Sequence, residues 1–184
     1  SCVKVTENQY PRINNLMNNV VDTFDWPYKP TVFITQSPFL NAGVLGVKEP
    51  FILLNSSVVT HFEEDELTAM LAHEMGHIMS GHALYKTLIW MLTNLSLNFI
   101  PMGQLAVNAI MAVLAEWNRK SELTADRAEL LATQDEKPSY NILMKMAGAE
   151  DLGQVNLNEF FLQAQEYEDQ KSLLDSLHKI INQV

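Results

Sequence analysis

The chain has 184 residues, of which 47% are hydrophobic and 18% charged, a composition typical of a globular protein. The formal net charge of −10 argues against nucleic acid as a partner, because nucleic-acid binding requires a basic surface. The same charge argues against electrostatic attachment to an anionic membrane. The single cysteine, Cys2, excludes an internal disulfide and a metal site built from several thiolates.

The first 60 residues predict one helix and a small sheet. Residues 8–25 carry apolar side chains at helical spacing and are followed by two prolines that end the helix. Residues 31–36 are rich in β-branched and aromatic residues and predict a strand. A second extended segment is expected at 41–47, where Gly43 and Gly46 loosen it, and a third strand at 51–55. The sequence begins with Ser1 rather than Met, which indicates a trimmed or processed product and leaves room for an anchor before it.

Residues 73–77 read His-Glu-Met-Gly-His, and apolar residues at helical spacing around them predict a buried helix that begins at the acidic run 63–66. Because residues four apart share a helix face, His73 and His77 can direct two imidazoles at one metal ion. Glu74 lies one step around the helix, where a general base can take a proton from a zinc-bound water. The alternative is two unrelated histidines on a buried helix face.

The segment 87–115 contains no charged residue. We expect the histidine helix to run past Gly81 into this segment, which Pro101 and Gly103 divide into two helices, 88–100 and 105–115, that are mostly core. A hydrophobic hairpin tip that contacts a membrane or a protein partner is the alternative. A transmembrane hairpin is not expected, because polar residues interrupt both halves.

The next helix carries two carboxylates four residues apart, Glu122 and Asp126. A catalytic zinc site needs three protein ligands and an open position, and Glu122 is the candidate third ligand. Asp126 shares its face and can accept a hydrogen bond from the far ring nitrogen of a ligand histidine. Considered alone, the two residues would indicate a solvated acidic face paired with Arg119 and Arg127, but the motif at 73–77 favours a metal site.

The motif at 73–77 and the segment 119–127, Arg-Lys-Ser-Glu-Leu-Thr-Ala-Asp-Arg, together resemble the gluzincin metallopeptidases of the HtpX and CAAX prenyl protease family (peptidase family M48). The resemblance covers roughly residues 32–132 and includes 41–44 and 51–55, which match the family's edge strand and the strand before the active-site helix. It implies an α+β, mostly helical, zincin-like domain. A small sheet would pack on the histidine helix, and a second helix would carry Glu-x-x-x-Asp.

The resemblance also implies a role for each matching residue. His73, His77 and Glu122 would bind one Zn²⁺ ion per chain. Glu74 would be the catalytic base, and Asp126 would orient His73. A protein or peptide substrate would add to an edge strand by β-augmentation. That strand would consist of Asn41, Ala42, Gly43 and Val44.

The chain departs from the family in two respects. Gly43 stands where the family usually has an aromatic residue, which predicts a more mobile edge strand. HtpX-type proteins carry membrane spans, whereas this sequence predicts none, so it resembles a soluble or excised catalytic domain. The sequence favours a cytoplasmic or membrane-associated location and leaves a periplasmic or secreted one open.

These observations predict a zinc-dependent metalloendopeptidase, with protein quality control as one possible setting. We expect one domain over 1–184, in three parts: an N-terminal helix and sheet (1–60), the zinc-binding helix pair (61–133) and C-terminal helices (134–184). Amphipathic patterns place those last helices at 138–146, 157–167 and 173–181. Tyr140, His82 and His178 are available to stabilise an oxyanion, but spacing selects none of them.

The alternative function is a non-catalytic, zinc-stabilised interaction domain or a chaperone-like domain that uses 87–115. Glu74 favours the peptidase, since a purely structural zinc site has no use for a base. The substrate, the cleavage preference and the oligomeric state are not readable from the sequence.

Overall fold

A computed structural model describes residues 2–88, 91 and 104–167. The predicted helix 173–181 and His178 lie outside the described residues, as does most of the predicted helix 88–100. The chain forms two compact units, residues 1–142 and 143–184. In the second unit, a 3₁₀ turn over Leu152–Gln154 precedes a helix at 157–167.

The first unit contains a four-stranded mixed sheet with the order β1-β2-β4-β3. Its strands are β1 (Cys2–Lys4), β2 (Val32–Thr35), β3 (Ala42–Leu45) and β4 (Phe51–Asn55). β2 and β4 are parallel, and the other two pairings are antiparallel. β3 therefore lies at one edge of the sheet. The sequence did not predict β1, because three exposed residues carry no burial pattern.

One face of the sheet is buried, because alternate residues along a strand point to the same side. In β4, Ile52 and Leu54 are fully buried, and they lie opposite Val44 of β3 and Ile34 of β2, respectively. These side chains join the apolar residues of several helices to form the core. The register of the sheet is thus fixed by burial, since a shift of one residue would expose this whole set.

The helices of the described chain confirm a mostly helical α+β fold. They are α1 (Pro11–Thr23), α2 (Ser56–His61), α3 (Glu64–Met79), α4 (Gln104–Thr133) and α5 (Lys137–Met146), with further helical residues at 83–88 and 157–167. α1 and β3 both pack against α3, which is the predicted histidine helix. α2 was not predicted, because its six residues are too few to show a helical period.

α3 begins with a capping box and ends at a left-handed glycine. The Glu66 carboxylate accepts a hydrogen bond from the backbone N–H of Glu63 at 2.9 Å, and Glu63 caps the helix in return. Gly81 has a φ of +70°, and the N–H of His82 donates to the carbonyl of His77 at 2.8 Å. The prediction that this helix continues past Gly81 is wrong: it ends at Met79, and a new helix starts at residue 83.

α3 and α4 approach each other most closely at Gly76. A Cβ atom built on Gly76 would lie 2.8 Å from the Ala128 Cβ and 3.0 Å from the Ala125 Cα. Both alanines are buried, at 8% and 0% exposure. Three small residues thus let two backbones meet, and the side chains on either side of this contact are brought within reach of one another.

We expect Gly76→Ala to destabilise the protein by about 1–3 kcal/mol, because the added methyl overpacks a contact with no room for it. Intrinsic helix propensity alone predicts that this substitution stabilises the protein, since alanine is favoured over glycine by about 1 kcal/mol in a helix interior. The free energy of unfolding from urea titration would measure the effect. Gly43→Ala is the matched control, because nothing lies within 4 Å of a Cβ at Gly43. A more stable Gly76→Ala protein would contradict this packing.

Candidate metal centre

α3 presents its motif inward. Glu74 and His77 are 3% and 0% exposed, and His73 is partly buried. His73 and His77 lie on successive turns of the helix, with ring centroids 4.9 Å apart. The Nε2 atoms of the two rings are 3.2 Å apart, so both imidazoles direct the same nitrogen at one point.

Glu122 of α4 completes a three-residue cluster. Its Oε2 lies 3.1 Å from the His73 Nε2 and 3.5 Å from the His77 Nε2. Ligand atoms held about 2.0–2.1 Å from a tetrahedral zinc ion are separated by roughly 3.3 Å. The three observed separations bracket this value. Two imidazoles and one carboxylate are also a donor set that suits a catalytic metal, so the residues fit such an ion.

Glu74 has a buried carboxylate oxygen without a hydrogen-bond partner. Its Oε2 is one of three such side-chain atoms among the described residues. An unpartnered buried carboxylate oxygen is costly, and it persists where a ligand, a water or a reaction uses it. The Glu74 Oε2 is therefore free to bind a water or a ligand next to the histidine pair.

The outer nitrogen of His73 faces two carboxylates. Its Nδ1 lies 3.2 Å from the Asp126 Oδ1 and 3.4 Å from the Glu129 Oε2. Burial lowers the pKa of His73, but hydrogen bonds to Asp126, Glu122 and Glu129 outweigh it and raise the pKa to about 11. The sequence had pointed to Asp126 for this position. It missed Glu129, although the spacing of 122, 126 and 129 already puts all three carboxylates on one face of a helix.

A lysine also reaches the cluster. The Lys86 Nζ lies 3.1 Å from the Glu122 Oε1 and 2.8 Å from the His77 Nε2. Burial tends to raise the pKa of Glu122, but hydrogen bonds with His73 and His77 and the charge of Lys86 hold it well below its usual range. Glu122 thus stays ionised, as a ligand carboxylate must. Sequence reasoning missed Lys86, because only the turn at Gly81 redirects residues 83–88 toward the cluster.

His82 lies behind the second histidine. Its Nδ1 is 3.3 Å from the His77 Nδ1, and the Trp117 ring packs edge-on against it with centroids 5.0 Å apart. Burial lowers the pKa of His82, and the charges of His77 and Lys86 lower it further. A neutral His82 can accept the Nδ1–H of His77. His82 and the exposed His61 are not part of the cluster.

A hydrogen bond joins the end of the edge strand β3 to the helical segment that carries Lys86. The Thr87 hydroxyl accepts a hydrogen bond from the Gly46 N–H at 3.0 Å, just after β3. The Asn55 N–H donates to the Asn41 carbonyl, so these two residues face each other as a hydrogen-bonded pair. Hydrogen-bonded and outward-facing residues alternate along an edge strand, so the N–H and C=O groups of Ala42 and Val44 point toward the outer edge of β3. Of the predicted set, Asn41 lies just before the strand, whereas Ala42, Gly43 and Val44 are within it.

Comparison with known proteins identifies the family. The family model for Peptidase family M48 matches residues 7–176. The chain belongs to this family. It is 33% identical over 174 residues to a plastoglobule-localized metallopeptidase 48 of Arabidopsis thaliana, which covers 92% of this chain and 50% of the relative. A Helicobacter pylori protease HtpX homolog is 25% identical over 170 residues, 78% of this chain and 55% of the relative. No solved structure matches significantly.

The family resemblance inferred from the two motifs is thereby confirmed. The chain spans about half the length of the curated relatives that it matches over most of its own length. Within the described residues, we find no helix with both the length and the hydropathy that crossing a bilayer requires. Residues 7–176, which the family model matches, include the cluster described above.

We expect His77→Ala protein to lose bound metal, because removing one of three ligands leaves a buried, incomplete site. Metal content measured by mass spectrometry after dialysis would show about one ion per chain in the unaltered protein. His61→Ala is the matched control, since His61 is an exposed histidine of α2 that bonds the Ser57 carbonyl at 2.7 Å. Equal metal contents in the two variants would contradict the assignment of the cluster.

Proposed function

We propose that the chain is a zinc-dependent endopeptidase domain that cleaves protein or peptide substrates. His73, His77 and Glu122 hold the zinc ion, and Glu74 is the general base. Family membership supports peptidase chemistry. The arrangement of three ligand atoms 3.1–3.5 Å apart beside an unpartnered glutamate oxygen is the observation that carries the proposal.

The choice of zinc follows from the donor set. Calcium and magnesium prefer sites made of oxygen ligands, whereas two imidazoles with one carboxylate form a common catalytic zinc set. Softer sites for other metals usually contain thiolates, and the only cysteine, Cys2, is an exposed residue of β1. When bound, zinc supplies a Lewis acid that lowers the pKa of water and polarises the substrate carbonyl.

Glu74 carries out the proton transfers. Its free oxygen accepts the proton of the attacking water, and the same carboxyl group later delivers that proton to the leaving nitrogen. Burial keeps the carboxylate away from bulk solvent, so its exchange of protons is directed at the reacting groups. Neither step needs another acid, because one proton is taken up and one is returned.

The substrate would bind as an additional strand. β3 is an edge strand that packs on α3. The outward backbone groups of Val44 and the C=O of Ala42 can pair with an added strand, whereas the Ala42 N–H donates to the Asn41 Oδ1 at 2.9 Å and would have to exchange that partner. Main-chain pairing is independent of side-chain identity, which suits cleavage of varied polypeptides. Gly43 projects no side chain beside this edge, and Phe39, 75% exposed, lies just before it. These two residues would influence which side chains the substrate can carry.

A non-catalytic binding domain remains the alternative. Residues 89–90 and 92–103 of its proposed surface, 87–115, lie outside the described residues. Four apolar side chains at its start and just before it are 39–42% exposed: Leu84, Tyr85, Leu88 and Met91. A binding domain gives no reason for a buried, unpartnered Glu74 oxygen, whereas a hydrolase does.

We expect Glu74→Gln to keep zinc and to lose at least about 100-fold in kcat, because the amide cannot accept a proton while the three ligands are unchanged. Hydrolysis of an unfolded protein and zinc content would be measured on the same samples. Glu64→Gln is the control, since it changes an exposed glutamate in the first turn of the same helix. Wild-type turnover by the Glu74→Gln protein would rule out this mechanism.

We expect backbone N-methylation of a peptide substrate to lower kcat/KM in an alternating pattern along the peptide. Only every second residue of an added strand faces β3, and loss of one such hydrogen bond costs roughly 1 kcal/mol, or about fivefold. Peptides methylated at the intervening positions serve as controls, because they carry the same extra methyl group. A uniform loss at every position would contradict binding by strand addition.

A further inference from the structure

Three carboxylates on one face of α4 approach the two ring nitrogens of His73. Glu122 meets Nε2, the nitrogen that points into the cluster. Asp126 and Glu129 both meet Nδ1, at 3.2 and 3.4 Å. A neutral imidazole that binds a metal through Nε2 carries one proton on Nδ1, and the group that accepts this proton fixes the tautomer and the ring orientation. Two carboxylates therefore compete for a single donor.

The two carboxylates lie in different surroundings. The Asp126 side chain is 55% exposed, whereas that of Glu129 is 10% exposed. Water screens the exposed carboxylate, while a hydrogen bond to the buried one acts in a medium of lower dielectric constant and is stronger.

Glu129 also has a partner that holds it in place. Its second oxygen, Oε1, accepts a hydrogen bond from the Ser139 hydroxyl of α5. Burial of a carboxylate is costly unless both oxygens are satisfied, and here His73 satisfies one oxygen and Ser139 the other. The arrangement links three helices in one line: α5 through Ser139, α4 through Glu129 and α3 through His73.

We propose that Glu129, held by Ser139, is the principal positioning residue for His73, and that Asp126 adds a weaker, solvent-screened contact. The inference rests on the zinc site proposed above. By accepting the Nδ1–H, Glu129 leaves Nε2 unprotonated and directs it at the metal. It also makes the imidazole a better donor, and loss of such outer partners typically weakens metal binding 10–100-fold.

The test compares zinc dissociation constants, measured by competition with a fluorescent chelator, for the full chain and four variants. Glu129→Gln keeps the size of the side chain and the Ser139 contact but removes the charge, and we expect it to weaken zinc at least about tenfold. Asp126→Asn should weaken zinc less. Ser139→Ala should also weaken it less than Glu129→Gln, and it provides the test if Glu129→Gln fails to fold. Glu7→Gln, which removes an exposed charge from the N-terminal segment, should have no effect.

A second readout separates positioning from general stability. In the zinc-loaded protein, nitrogen-15 spectra of the histidine rings report the tautomer and the Nδ1–H signal of His73. We expect Glu129→Gln to shift that signal more than Asp126→Asn does. A purely structural role of Glu129 would lower the melting temperature and leave this signal unchanged.

The outcomes distinguish this inference from the proposed function. A larger loss of zinc affinity in Asp126→Asn than in Glu129→Gln would overturn the inference and leave the peptidase proposal intact. Two zinc ions per chain, with the second lost in Glu129→Gln, would also overturn it, because Glu129 would then be a ligand. A wild-type chain that binds no zinc would overturn both proposals.

Discussion

The close contact at Gly76 is the constraint on which the centre depends. The two histidines are fixed by their own helix, but Glu122 belongs to another helix, 45 positions beyond His77. A carboxylate reaches only a few ångströms from its backbone, so α3 and α4 must approach closely for the three ligand atoms to converge. The small residues Gly76, Ala125 and Ala128 permit that approach, and packing of apolar surface elsewhere on the helices provides the stabilising free energy.

The charge balance of the centre supports the proposed metal site. Four carboxylates (Glu74, Glu122, Asp126 and Glu129) surround the histidine pair, and Lys86 is the lysine that contacts this group in the described chain. Several carboxylates in one partly buried region repel each other unless positive charge is supplied. A divalent cation meets that requirement at the point where the ligand atoms converge. The acidic surroundings therefore favour cation binding in addition to the three proposed ligands.

The sequence alone predicted those features of the fold and of the candidate site that depend on residues close together in the chain. The four-residue spacing of His73 and His77, the acidic start of α3 and the pair Glu122 and Asp126 are local patterns, and the resemblance added the family. Glu129 and Lys86 could not be identified in this way, because their roles depend on helix packing and on the turn at Gly81. The spacing of Glu129 was visible, but an acidic helix face is also normal on a solvated surface. β1 and α2 are too short to carry a periodic signal.

The edge position of β3 has a consequence for the protein in the absence of substrate. A strand open to an added peptide is equally open to the same strand of another copy, and such pairing leads to aggregation. β3 limits this risk by its length of four residues and by Gly43, which lowers its propensity for extended pairing. Lys48 and Glu49 follow it and place charges beside the edge. A weak, short strand therefore leaves the edge open to the proposed substrate while it discourages self-association.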